Sequence, residues 1–527
     1  MSKINSVTIV GDGVCGWLTA ASLLAMFGRR VAVTLIGSHR RPDTAWANRS
    51  TGALSPLLAL LGISEDDFML ECDATFRCGA NYVGWGARGG SAVVPLGDPG
   101  EASITFLPTL TVPVLGRGFT PLDVWGRSWA KGHALPFVEA RESLRVFFAR
   151  DLSPKREPGL KRYEQAPPYG FHFDPARLED LVRERATSFG AVHLTEKIAR
   201  AHFDERGRVT SVTTDSGRSL VSDLYVDCSE DPASPMRGAV GGSAARARDT
   251  ALLDEYVSVR IDRDEQSAVP TTTTMRRLSS GWMQSVPLGS AMVHQYSFSA
   301  RHVDRNDALE ELGRALGISL LDVEHTHGRA VQGEERSPWS ENRIVIGRGA
   351  SAFGDPAASY WLEVAHQIGS LFVHLPSKDG PAEFAEAHNV SVAALADVVH
   401  DHLAAHFVHS SPLETPFWSA ARTAVRPSES LSARVAAYTS GVASQSSFGR
   451  SASRGELPDG FFDRWQHAVL LGAFGVGPKS YPALLDHLDL EPWAQYLRQQ
   501  KLTAERMVRE LPTHAAYIAA MKKVAPV

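Results

Sequence analysis

Apolar and polar residues recur along this chain with two different rhythms. Ser6 to Val10 is a short, mostly apolar run that stops at Gly11. From Val14 to Phe27, Trp17, Leu18, Ala21, Leu24 and Ala25 return at helical spacing, and Arg30 to Ile36 ends in the unbroken run Val31-Ala32-Val33-Thr34-Leu35-Ile36. Strand, helix and strand in this order predict a βαβ unit in a parallel sheet, whose strands are covered on both faces and so carry few polar residues. Helices are predicted over 54–61 and 65–70. Another is predicted over 175–189, with Pro175 in its first turn and Leu178, Leu181 and Val182 on one side. The stretch 95–121, rich in Gly, Pro and Thr, predicts loops and short strands. Between 192 and 226, β-branched runs are broken by Glu205-Arg206-Gly207 and Asp215-Ser216-Gly217, the turns of a small antiparallel sheet. Strands are predicted over 256–261 and 292–298. Beyond Ala357 the rhythm becomes helical, with helices over 362–375, 381–406, 459–471 and 491–510 and a Ser- and Gly-rich loop over 440–454. The expected architecture is α/β: a nucleotide-binding body over 1–375 with an inserted antiparallel sheet, then a helical lobe on the substrate side over 376–527.

Composition narrows the possibilities. The 527 residues are 43% hydrophobic and 21% charged, with a formal net charge of -5 and no basic tract, which speaks against nucleic acid or an anionic membrane as partner. The cysteines Cys15, Cys72, Cys78 and Cys228 are too few for a disulfide framework and lack CxxC spacing. No apolar run reaches the roughly 18 residues of a membrane span, and the first residues lack the features of an export signal. A soluble protein of the reducing cytoplasm is expected.

Gly11-Asp12-Gly13-Val14-Cys15-Gly16 is a GxGxxG placed after a strand and opening a helix. In that context Gly11 permits the tight turn, Gly13 lets the backbone approach a pyrophosphate, and Gly16 brings helix and strand together. The N–H groups of the helix start then face the phosphates. Asp12 and Arg40 are further candidates for the cofactor. A carboxylate for the ribose hydroxyls is expected at the end of the second strand, yet Gly37 and Ser38 stand there. Arg40, Arg41 and Asp43 follow as possible replacements, and the arginines leave a 2′-phosphate nucleotide open.

A series of motifs extends from this opening to the end of the chain. Val7-Thr8-Ile9-Val10-Gly11 with Gly16-Trp17-Leu18-Thr19-Ala20, Leu61-Gly62-Ile63 with Asp66-Asp67-Phe68, and Phe171-His172-Phe173-Asp174 come first. Asp223-Leu224-Tyr225-Val226-Asp227-Cys228-Ser229, Thr415-Pro416-Phe417-Trp418 and Leu511-Pro512-Thr513-His514 follow. In composition and order they resemble the flavin-dependent tryptophan halogenases. The resemblance implies an FAD-binding Rossmann-like fold with a C-terminal helical lobe. It also implies reduced FAD from a separate flavin reductase, dioxygen, and a halide oxidised to hypohalous acid. That acid passes to a lysine and meets an indole, phenol or pyrrole, while a glutamate takes up the ring proton.

Against that pattern this chain carries substitutions. Arg77, in Ala74-Thr75-Phe76-Arg77-Cys78-Gly79, stands at the family's lysine position. Its guanidinium is always charged and offers donors in a rigid fork, and its nitrogens are not nucleophilic. A structural ion pair is the alternative role. Ala358, in Phe353-Gly354-Asp355-Pro356-Ala357-Ala358-Ser359, stands at the glutamate position and carries no titratable group, while Asp355 keeps the family's carboxylate, which the resemblance implies is a cofactor-binding residue. Tyr360 and Trp361 replace the small residues around the halide. Glu363 is a substitute base or else a solvated or ion-paired side chain. In Gly281-Trp282-Met283-Gln284-Ser285-Val286-Pro287 the family's first tryptophan is kept as Trp282, a catalytic-site candidate, and Gln284 replaces the second.

His402 and His406 share a helix face as metal ligands can, but no HExxH accompanies them and no metal is expected. Trp418 and Trp465 are read as core or as the lining of an aromatic site. Three functions stay open: a halogenase-like oxidoreductase acting on a small aromatic or a carrier- or peptide-bound substrate, an FAD monooxygenase that uses no halide, and a non-catalytic accessory or binding subunit. A homodimer is compatible with each.

Overall fold

The computed structural model describes the chain except residues 1–2, 39–46, 87–88, 98–110, 113–116, 120, 134, 160–162, 164–167, 232, 238–247, 265, 321–322, 331, 354–359, 376, 379, 381, 442–463, 488–490 and 525–527. Its opening is the expected βαβ unit: strand Ser6–Val10, helix Val14–Phe27 and strand Ala32–Ile36. The second strand begins two residues after the predicted Arg30, because Gly28–Arg30 turn as a 3-10 segment in which Gly28 takes φ +58. These strands lie in a six-stranded sheet ordered Val192–Leu194, Ala32–Ile36, Ser6–Val10, Leu224–Asp227, Arg343–Val345, Trp339–Ser340, parallel except for the last pair. Val10 is level with Ile36 on one side and Asp227 on the other. The carboxyl ends of three strands therefore share one edge, where open α/β sheets bind their ligands. Helix Val14–Phe27 is buried almost all round, between the sheet and helix Pro175–Phe189. Asp174 caps that second helix through Oδ1, which accepts from the N–H groups of Ala176 and Arg177, and Gly190 ends it in a left-handed turn.

The antiparallel sheet Ile198–Phe203, Val209–Thr214, Ser219–Leu220 has its turns at Gly207 and Gly217 as the sequence predicts. A seven-stranded sheet forms the second large layer. Its order is His325–Arg329, Glu255–Asp262, Ala291–Phe298, Gly281–Pro287, Thr272–Leu278, Gly79–Val83, Ser91–Pro95, with only the pair Thr272–Leu278 and Gly79–Val83 parallel. Of its strands only Glu255–Asp262 and Ala291–Phe298 answer to predicted ones, and the others lack a clear sequence signature. Thr272–Leu278 is Thr- and Arg-rich yet mostly buried, and Gly281–Pro287 is buried on both faces and shows no alternation. A third, three-stranded sheet joins Asn48–Arg49, Gly170–Phe173 and Thr75–Arg77.

The C-terminal helices Tyr360–His374, Glu383–Val408, Arg464–Ala473 and Glu491–Glu510 lie within a few residues of their predicted bounds. Residues 459–463 and most of the expected 440–454 loop fall outside the described residues. The helical part shares its core with an earlier segment: Leu122, Trp125, Phe137 and Leu144 pack with Tyr438, Trp465 and Leu471. Trp465 accordingly belongs to this core. Among the described residues, no helix is long and apolar enough to cross a membrane.

Candidate functional site

The first candidate centre lies at the shared strand edge. Gly11 donates its N–H to Ile36 O at 2.8 Å and takes φ +105, and a Cβ there would meet the Cys228 carbonyl carbon at 2.5 Å. A Cβ on Gly16 would meet Gly11 O at 1.9 Å, so the helix packs against the turn only because residue 16 has no side chain. Gly13 differs: it is the N-cap of the helix, and a Cβ there would find no atom within 4 Å among the described residues. Among the described residues no side chain caps this helix start, and its first turn holds no acid. Open space thus lies over N–H groups that a helix leaves without intrahelical partners, which is what a pyrophosphate requires. The residues fit a dinucleotide.

A polar cluster stands beside this cradle. Glu230 has φ +56, unusual for a residue with a side chain. Its Oε1 accepts from the Tyr360 hydroxyl at 2.5 Å, and its Oε2 lies 3.8 Å from Arg348 Nε. The Arg348 guanidinium lies over the Tyr360 ring, 5.0 Å from its centre. Burial and the Glu230 carboxylate hold the Tyr360 hydroxyl well above the ordinary phenol range. Glu363 is neither solvated nor exposed: it is buried against Ser351, whose hydroxyl donates to Oε2. A helix face packed onto the body, rather than a surface turn, accounts for the difference from the solvated alternative.

The second centre is the strand Thr75–Arg77. Arg77 is 2% exposed, its Nε–H donates to Thr273 Oγ1 at 3.1 Å, and its NH1 donates to Ser50 O at 3.0 Å. Gly170, opposite Arg77 in the sheet, makes the second bond possible, since a Cβ there would lie 2.2 Å from Ser50 O. His172 bridges Thr75 Oγ1 (Nδ1, 3.1 Å) and Thr273 Oγ1 (Nε2, 2.9 Å), and Thr75 Oγ1 lies 2.6 Å from Pro287 O. The directions of these bonds follow from counting protons. Thr75 has one hydroxyl proton and a carbonyl takes it, so His172 Nδ1–H donates to Thr75 and Nε2 accepts from Thr273. The result is a one-way chain: Arg77 to Thr273 to His172 to Thr75 to Pro287 O. Burial, with the Arg77 charge next in weight, holds the His172 imidazole well below its usual range and therefore neutral, as this chain requires. Phe76 N–H donates to His514 Nε2 at 3.0 Å, which ties the strand to the terminal Pro512-Thr513-His514 motif.

Trp282 lies in a packed aromatic group with Trp85, Phe407 and Trp418. The indole N–H groups of Trp85 and Trp418 donate to Met275 O and Leu278 O, and the Arg277 guanidinium lies over both rings. Trp418 is core here. His406 bridges the Tyr82 hydroxyl and His402 O, and no three His, Cys, Asp or Glu side chains group for a metal among the described residues. Arg40, Asp355 and Ala358, together with Arg41 and Asp43, lie outside the described residues. Thr273, Ser50, Glu230 and Arg348 carry no sequence signal of their own. The nearest one is Glu230, directly after the Asp227-Cys228-Ser229 motif.

A family model described as tryptophan halogenase matches residues 6–490. The chain belongs to the tryptophan halogenase family. It is similar to the tryptophan 6-halogenase SttH of Streptomyces toxytricini, 26% identical over 541 residues and covering 98% of each chain. It is also similar to the tryptophan 7-halogenase RebH of Lentzea aerocolonigenes, 25% identical over 92% of each. Among solved structures, the crystal structure of SttH superposes with a TM-score of 0.83 at 23% identity, over 98% of this chain and 100% of that one. BrvH, a flavin-dependent halogenase from Brevundimonas sp. BAL3, does so with 0.81 at 22%, over 98% and 99%. For this halogenase-family chain, then, the α/β fold and the enzyme class read from its motifs hold.

Proposed function

We propose that this chain is a flavin-dependent oxidoreductase of halogenase type. It takes reduced FAD from a separate reductase and, with dioxygen, oxidises an aromatic substrate, either a small indole, phenol or pyrrole or one held on a carrier or peptide. The observation that carries this reading is the cradle at the strand edge, with an uncapped helix start and open space over Gly13. Bound there, FAD supplies the electrons that activate oxygen. The chain's own residues do the rest. Gly11, Gly13 and Gly16 shape the phosphate site, and Arg77 offers a buried, fixed cation that donates hydrogen bonds to an oxidant or anion brought beside it. Arg77 acts as a donor and not as a nucleophile, because guanidinium stays protonated and its lone pairs are delocalised.

That last property favours a second reading, in which the same substrate class is oxygenated without halide. The two separate in one experiment: titrate the purified protein with FAD, then run reductase-coupled turnover on indoles and phenols with and without bromide. Halogenated product that requires bromide supports halogenation. Oxygenated product formed without bromide supports the second reading. A chain that binds no FAD at saturating concentration refutes both.

A further inference from the structure

The strand that ends at Ile36 is followed by Gly37, where dinucleotide-binding folds carry a carboxylate for the ribose hydroxyls. The position is not empty. A Cβ on Gly37 would lie 2.0 Å from Asp12 Cγ and 2.1 Å from Asp12 Oδ1. The carboxylate that belongs to the middle of the Gly11-Asp12-Gly13 turn is thus turned sideways into the volume where a residue-37 side chain would begin. On the neighbouring strand His193 Nε2 lies 3.3 Å from Asp12 Oδ2, and the His193 ring packs edge-on against Trp17 at 5.0 Å. Gly37 N–H donates to Leu194 O at 3.1 Å, which fixes the strand end beside this pair. Asp12 is 9% exposed, so the carboxylate sits at the cradle's edge rather than in solvent.

We propose that Asp12 supplies the ribose-binding carboxylate of this cradle, an exchange of roles between positions 12 and 37. The inference rests on the dinucleotide reading of the site. The exchange explains both departures together: glycine at 37 is required by Asp12, and Asp12 does at 37 what a side chain there does in other chains of this fold. A carboxylate in that place accepts hydrogen bonds from the 2′- and 3′-hydroxyls and repels a 2′-phosphate, so the ligand class is an adenosine dinucleotide with a free ribose, such as FAD.

The test is a reciprocal exchange read by binding alone. FAD affinity is measured by flavin fluorescence quenching for the wild type, D12G, D12N, G37E and the double variant D12G/G37E. Loss of two charge-assisted hydrogen bonds weakens FAD by about tenfold or more in D12G and D12N. G37E alone weakens it too, because the new side chain meets Asp12. The double variant regains affinity to within about threefold of wild type. Circular dichroism melts separate weak binding from misfolding, and D12N, which keeps the side-chain shape, carries the test if D12G does not fold. ADP and 2′-deoxy-ADP as competitors give a ligand-side check: wild type discriminates against the deoxy compound and D12N does not. Equal FAD affinity in wild type and D12N overturns the assignment, as does a double variant no better than D12G. If wild type binds ADP with 2′-hydroxyl discrimination but not FAD, the flavin reading falls and the Asp12 assignment stands. Binding of neither overturns both.

Discussion

Behind the Arg77 strand lies a buried ion pair whose removal has a calculable limit. Lys155 Nζ is 2.7 Å from Glu65 Oε1, with the two side chains 5% and 1% exposed, and the Tyr169 hydroxyl lies 2.5 Å from the other carboxylate oxygen. Tyr169 in turn packs edge-on against Phe76, the neighbour of Arg77. The substitution Lys155→Met keeps the stem and removes the charge. Breaking a buried pair ordinarily costs about 3–5 kcal/mol. Glu65 has an escape, however: it can take up a proton. Burial already raises its pKa above 4.5 despite Lys155 and Tyr169. Neutralising a carboxyl with an unfolded-state pKa of 4.5 at pH 7 costs about 3.4 kcal/mol, at about 1.36 kcal/mol per pH unit. The loss therefore saturates at about 3.4 kcal/mol. Spread over a 527-residue unfolding unit, with an entropy of about 2.1 cal/mol/K per residue, that lowers Tm by about 3 °C. The sign of the pH effect follows. An acid whose folded pKa is raised regains stability as pH falls toward its unfolded value, so at pH 5 the limit shrinks to about 0.7 kcal/mol. The assay is a calorimetric melt of wild type and K155M at pH 7 and at pH 5, read as the difference between the two proteins at each pH. A difference as large at pH 5 as at pH 7 refutes the reasoning, and so does no difference at pH 7.

Three further outcomes are expected. Burial draws the imidazoles of His388, His467 and His514 down to about 3, about 3 and about 4 from 6.5. Stability is then complete above pH 6.5 and falls as pH drops toward those values, by up to about 2 kcal/mol per imidazole at pH 5; a Tm that is flat from pH 7 to 5 contradicts this. Gly13→Ala, with open space around it, leaves the melt unchanged while weakening FAD binding about tenfold, whereas Gly16→Ala, facing Gly11 O at 1.9 Å, lowers both; equal effects on the melt count against the cradle. Thr273→Val removes the hydroxyl shared by Arg77 and His172 and leaves both without it, at about 1–3 kcal/mol. An unchanged melt shows that the directed chain through His172 contributes nothing.

Periodicity made the nucleotide half of the fold legible. Helices Val14–Phe27 and Pro175–Phe189 have the bounds their patterns predict, because Gly28 stops the first, and Asp174, Pro175 and Gly190 bound the second, whose apolar residues share one face. The strands Thr272–Leu278 and Gly281–Pro287 were not legible. Largely buried, they show no clean alternation, and Thr273 in the first bonds to Arg77 and His172, 196 and 101 residues away. The same reason hides the Arg77 environment. Arg77 itself stands out by position within a motif, but Thr273 and Ser50 are 196 and 27 residues away along the chain. The exchange between Asp12 and Gly37 was visible only as an absence at the second strand, because which way a turn side chain points depends on its three-dimensional neighbours.

The bond from Phe76 N–H to His514 spans 438 positions. Synthesis makes Phe76 long before His514, so this bond at the edge of the strand has to wait for residues far along the chain. Contacts of such long sequence separation are the ones that slow folding across proteins. A chain that stops short of His514 therefore leaves the Phe76 N–H, a buried donor next to Arg77, without its partner.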